Sequence, residues 1–149
     1  MNGSYFESGV IRAFVPEGWL AFCGIDSNGD VTPKKIHIFK DARLETDIFT
    51  HAGITICYFA KGEYYYSPKG FYDEVRDIEP VTMGGRTFSA YTCQSFGYPY
   101  TMLECREEGT VFQIMVLMKN GDHMISLEDS DVIAILSDIS CKECKETAD

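Results

Sequence analysis

Apolar and polar residues alternate along most of the chain, and β-branched and aromatic side chains fill many of the apolar positions. A pleated strand turns successive side chains to opposite faces, so a period of two predicts strands rather than helices. The runs are Gly9 to Val15, Gly18 to Ile25, Lys34 to Phe39, Ile54 to Ala60, Glu63 to Tyr66, Arg86 to Cys93, Tyr100 to Arg106, Thr110 to Met118 and His123 to Ser126. Gly, Pro, Asn and Asp separate them, as strand boundaries require. Asn28-Gly29 and Asn120-Gly121 carry the residues that tolerate positive φ in a tight hairpin turn. Gly97 with Pro99, and Glu107-Glu108-Gly109, mark two more reversals. The stretch from Arg86 to Leu127 therefore predicts a four-strand antiparallel meander.

One segment departs from this period. From Leu127 to Ile139, residues Val132, Ile135, Leu136 and Ile139 recur at the spacing of a helical face that packs on a sheet. Its entry is acidic, with Glu128, Asp129 and Asp131, and Lys142 and Lys145 follow its end, the order that the helix dipole favours. A shorter helix is expected over Gly70 to Ile78, and a helical turn within Ala42 to His51. The fold class predicted is α+β, an antiparallel sheet of about six to nine strands with a C-terminal helix packed on it. The length of 149 residues fits a single domain over 1–140 with a flexible tail over 141–149.

Charge narrows the partners. Lys and Arg number 13 against 23 Asp and Glu, a formal charge of −10, which opposes phosphate backbones and anionic lipid heads. Neither nucleic acid nor a membrane is expected as a partner. The first residues lack a basic cluster followed by an apolar stretch, and no apolar run approaches the length of a membrane helix. A cytoplasmic protein is the expectation, with its six cysteines reduced. Cys23, Cys57, Cys93 and Cys105 lie in apolar or aromatic stretches, where a thiol acts as a small hydrophobe. Cys141 and Cys144 have the spacing of a thiolate pair. No second such pair completes a tetrahedral site, so they are weak metal or redox candidates and no cofactor is expected.

Other candidate motifs dissolve on inspection. Asp26, Asn28 and Asp30 alternate like calcium ligands, but Val31 stands where the loop needs Gly and His37 where it needs Glu. His37, His51 and His123 are far apart in sequence with no nucleophile motif beside them. Gly84-Gly85-Arg86 lacks the Lys-Ser/Thr of a phosphate loop and reads as a turn. What remains is an aromatic surplus of 9 Tyr, 10 Phe and 1 Trp. It clusters at Tyr64-Tyr65-Tyr66 and at Phe96-Gly97-Tyr98-Pro99-Tyr100, which makes Tyr65, Phe96, Tyr98 and Tyr100 candidate contacts for a ligand or protein.

Three segments carry a family likeness: Phe14-Val15-Pro16-Glu17-Gly18-Trp19, Gly85-Arg86-Thr87-Phe88-Ser89-Ala90-Tyr91, and Asp131 to Ile139. Together they resemble the PsbP-like fold, shared by the extrinsic P protein of photosystem II and a yeast release factor for the GTPase Ran. The resemblance implies an α+β sandwich and binding or assembly work rather than catalysis. The function expected is thus a non-enzymatic binding module for an unknown protein or small ligand. The alternative is a small hydrolase using a carboxylate or Cys57 with His51, and the third reading is a metal or redox switch through Cys141 and Cys144.

Overall fold

The computed structural model describes residues 1–141, and in these most of the alternating runs form strands. Seven of them make one antiparallel sheet: β3 (Trp19–Ile25), β4 (Val31–Lys40), β5 (Gly53–Phe59), β6 (Asp73–Met83), β7 (Arg86–Ser95), β8 (Tyr98–Glu107) and β9 (Thr110–Leu117). Their order across the sheet is β3-β4-β5-β9-β8-β7-β6. A second sheet of three strands sets β2 (Ile11–Pro16) between β1 (Gly3–Glu7) and β12 (Ile139–Cys141). A separate hairpin joins β10 (Lys119–Asn120) to β11 (His123–Met124), and α1 (Ser130–Leu136) is the α-helix near the end of the described chain.

One core cluster unites the inner sides of these elements. Ile11, Ala13 and Val15 of β2, and Val132, Ile135 and Leu136 of α1, share it with Ile36, Ile38, Ile54, Ile56, Phe88, Ile114 and Val116 of the large sheet. The clip Lys40–Asp131, at 3.3 Å, ties the start of α1 to β4, and the Trp19 indole N–H donates to the same carboxylate at 3.3 Å.

The meander turns tightly. The pairs Gly84-Gly85, Phe96-Gly97 and Glu108-Gly109 each have positive φ at both positions, between 50° and 84°. Each is a two-residue connection of the type whose twist matches the flanking strands.

Several expectations need correction. Gly70 to Ile78 is not a helix: a 3-10 turn at Pro68–Phe71 leads straight into β6. Register shifts between Asp73 and Arg76 and between Ile78 and Val81 insert extra residues into that strand. They space Val75, Ile78 and Val81 by three, which imitates a helical stripe. The helix expected from Leu127 to Ile139 keeps only Ser130–Leu136, because Ile139 pairs with Ala13 as the first residue of β12. Cys141 accordingly sits in a strand and is buried, while Lys142, Cys144 and Lys145 lie outside the described residues. Glu63 to Tyr66 is extended but joins no sheet.

The fourth strand of the meander is β6, ahead of β7, and not His123 to Ser126. The Asn120-Gly121 reversal turns one residue later, around Gly121-Asp122, with Asn120 paired to His123. The turn within Ala42 to His51 is a 3-10 helix, Glu45–Phe49.

Candidate functional site

Strands buried on both faces read as largely apolar runs, and β5, β9 and residues 36–39 of β4 have that character. Ile36 and Ile38 point into the core cluster, so His37 between them and Phe39 after them face the other way. The same alternation sends Thr55 and Cys57 of β5 and Met115 and Leu117 of β9 to this second face. Strand register sets them in rows. One row runs Phe22, His37, Thr55, Met115, Met102, Tyr91; the next runs Leu20, Phe39, Gly53, Leu117, Tyr100, Cys93.

Two pieces of chain cover this face, and they leave a gap. At one corner the 3-10 helix brings Ile48 against Phe39, Ala42 and Leu117. Over β7 and β8, the stretch 60–72 lays down Tyr65 and Tyr72. The Tyr65 hydroxyl donates to Glu104 Oε2 at 2.6 Å and its ring lies 4.7 Å from that of Phe59, while Tyr72 packs with Tyr91, Cys93 and Met102. Tyr100 touches both clusters.

Between them lies a cavity of about 260 Å³, lined by His37, Phe39, Ile48, Phe49, Thr55, Tyr100, Met115 and Leu117. Its floor depends on Gly53, where a Cβ would stand 2.3 Å from Cγ of Phe39. Any side chain there would push the Phe39 ring off its place on the floor.

The lining has one polar pair in an otherwise largely apolar wall. His37 Nδ1 and Thr55 Oγ1 are 2.8 Å apart, and the imidazole is flanked by the rings of Phe22 at 5.2 Å and Phe39 at 6.0 Å. Burial, with a smaller contribution from Lys35, lowers the His37 pKa to about 4. The ring is neutral at pH 7 and offers one donor and one acceptor. The roof is tied down from outside the sheet. Asn120, buried, donates through Nδ2 to the carbonyls of Phe49 at 3.1 Å and His51 at 3.3 Å, and the His51 ring stacks on His123 at 4.0 Å.

Of the four contact residues expected from sequence, only Tyr100 lines this cavity. Tyr65, on the covering stretch 60–72, faces Glu104, its pKa raised by burial first and then by that bond. Phe96 projects from the β7–β8 turn at 96% exposure and Tyr98 is exposed beside it. Tyr64 and Tyr66 are exposed with their rings 5.6 Å apart, so the alternation expected of this triplet holds without a strand. His37, Phe39, Thr55 and Leu117 were not expected as a set.

Cys57 and His51 are not brought together. Cys57 is buried at mid-strand, its thiol pushed up to about 11 by burial, while the His51 ring lies beyond the start of β5. From Gly53 to Cys57 alone the strand rises roughly 13 Å. The five described cysteines are free thiols, and Cys23 is only half-buried. Asp26 Oδ1 accepts the N–H groups of Asn28 and Asp30, which spends that oxygen on the turn. Among the described residues no group of three His, Cys, Asp or Glu is placed to hold a metal, and no helix is long and apolar enough to cross a membrane.

No family model matches the chain, and no curated protein does. Among solved structures, a protein from Bacteroides thetaiotaomicron VPI-5482 is similar with a TM-score of 0.53 at 13% identity, over 95% of this chain and 49% of that one. The chain thus spans about half the length of that protein. LpqN, involved in cell envelope biogenesis of Mycobacterium tuberculosis, aligns with a TM-score of 0.41 at 14% identity, over 95% of this chain and 86% of that one. At such identities the Bacteroides likeness shows the fold alone: a mostly antiparallel sheet with, among the described residues, one α-helix towards the C-terminal end, as an α+β class requires.

Proposed function

We propose that this chain is a non-enzymatic binding module whose ligand occupies the cavity under the 3-10 helix on the second face of the large sheet. The observation that carries this reading is the His37–Thr55 pair, two hydrogen-bonding groups set in a wall of apolar and aromatic side chains. Pockets that orient small molecules have this make-up, an apolar lining with a few placed polar groups. A volume of 260 Å³ is small for such a site. It still exceeds the roughly 150 Å³ of an apolar cavity known to hold benzene. We include in this proposal a PsbP-like sandwich and a cytoplasmic setting. Supporting them are the sheet-and-helix arrangement and the five described free thiols, which suit a reducing compartment.

Methyl-resolved NMR with toluene as the probe tests the site. Saturable shifts confined to Ile48, Met115 and Leu117 are expected. Methyls that stay unmoved up to the solubility limit of toluene would falsify the cavity reading.

A second reading, contact with another protein, is favoured by a different observation. Phe49, Phe71 and Phe96 are 73%, 76% and 96% exposed and all lie at the same end of the sheet, where β5, β6 and β8 begin. Exposed aromatics gathered at one end suit a partner surface, and the charge of −10 favours a basic or apolar one.

A further inference from the structure

The cavity also constrains the chemistry of what it would hold, and this step rests on the binding reading above. None of its lining residues carries a full charge: no Lys, Arg, Asp or Glu is among them. An ionised ligand would lose its water there and gain no counter-charge, an unfavourable exchange in an apolar site. Phe39, Phe49 and Tyr100 supply ring faces and edges, and Met115 supplies a thioether, the contacts that favour an aromatic guest.

The polar pair then selects the substituent. His37 Nδ1 and Thr55 Oγ1 are bonded to each other, and either can be the donor, depending on the imidazole tautomer. When the hydroxyl of Thr55 donates to Nδ1, its oxygen keeps lone pairs that accept from a ligand. When Nδ1–H donates instead, the Thr55 hydrogen is free to donate to a ligand. A carbonyl suits only the second state. A hydroxyl suits both, because it can donate or accept. The other ring nitrogen, Nε2, lies 3.0 Å from where a Cβ on Gly24 would be, towards β3. Thr55 Oγ1 is therefore the member of the pair that meets the guest.

We propose that the ligand is an uncharged monocyclic aromatic bearing a hydroxyl, its ring among Phe39, Tyr100 and Met115 and its oxygen on Thr55 Oγ1. Calorimetric titration of the full chain near neutral pH with p-cresol, toluene and p-toluate tests it. The expected result is that p-cresol binds about tenfold more tightly than toluene, one added hydrogen bond's worth, and that p-toluate does not bind. On Thr55→Val, p-cresol should bind no more tightly than toluene does to the same variant.

Toluene binding as tightly as p-cresol would overturn the hydroxyl assignment while leaving the apolar cavity standing. Binding of p-toluate on a par with p-cresol would overturn the uncharged class. If no probe bound, the binding reading itself would fall. Should Thr55→Val not fold, the comparison of p-cresol with p-methylanisole on the natural chain decides the same point. Loss of affinity with the methyl ether is expected, and equal affinity overturns the proposal.

Discussion

The two faces of the seven-stranded sheet are both apolar, and they are finished differently. On the inner face, β2, β12 and α1 close over Ile36, Ile38, Ile54, Ile56, Phe88, Ile114 and Val116 in one continuous cluster. On the outer face the apolar residues fall into two small clusters, around Leu117 and around Tyr91, with the His37–Thr55 cavity between them. The difference lies in the covering elements. A sheet and a helix seal the first face, whereas a 3-10 helix and an extended strap seal the second in patches. Apolar surface on both sides of a strand thus reports that each side meets something, without saying that the chain supplies all of it.

Truncation tests this contrast most severely. Phe88 is fully buried on the inner face, and Phe88→Ala should cost about 3 to 5 kcal/mol in urea unfolding. Met115 is half-buried and already borders open space, so Met115→Ala should cost about 1 to 2 kcal/mol, well short of a full core loss. Equal losses at the two positions would mean that the outer face is packed as tightly as the inner one.

Acid should separate the faces next. The His37 pKa falls from 6.5 in the unfolded chain to about 4 in the fold, so between those values the unfolded chain binds the extra proton. Stability from this group is complete above pH 6.5, declines as the pH falls towards 4, and changes no further below it. The loss amounts to about 3 kcal/mol at full size. His37→Gln can keep a hydrogen bond to Thr55 without titrating. Its stability relative to the natural chain should therefore rise by roughly that amount between pH 7.5 and pH 4. Parallel pH profiles for the two proteins would show that His37 does not sit in a desolvated wall.

How far the sequence leads to this arrangement depends on the element. The central strands announce themselves, since Ile36 to Phe39 and Ile54 to Phe59 combine strand-forming residues with turn signals on both sides. β6 does not, because its two bulges convert a period of two into a period of three. β1 is also missed. It is a mostly exposed edge strand, so its residues Gly3–Glu7 show little apolar alternation to read. β12 hides because Ile139 continues the spacing of Val132, Ile135 and Leu136 while belonging to the next element.

The site is less legible still. Tyr100 stands out among clustered aromatics. His37 and Thr55 are 18 residues apart and meet only through the register of β4 with β5, which no local pattern specifies.

The contrast also runs along the sheet, from the cavity end to the opposite end, and two turns with the same backbone expose it. Phe96-Gly97 at the cavity end has φ of 51° and 82°, and Glu108-Gly109 at the far end has 50° and 84°. Asn visits this left-handed region readily, whereas a residue such as Phe or Glu is strained there by about 1 to 2 kcal/mol. Phe96→Asn and Glu108→Asn should each raise stability by about 0.5 to 1 kcal/mol in thermal or urea unfolding. A gain at Phe96 would show that this ring contributes nothing to folding that offsets its strain and its exposure to water. A loss of 1 kcal/mol or more on Phe96→Asn, with the expected gain at Glu108, would instead make the ring part of the fold's own packing and withdraw the cavity end as a partner surface.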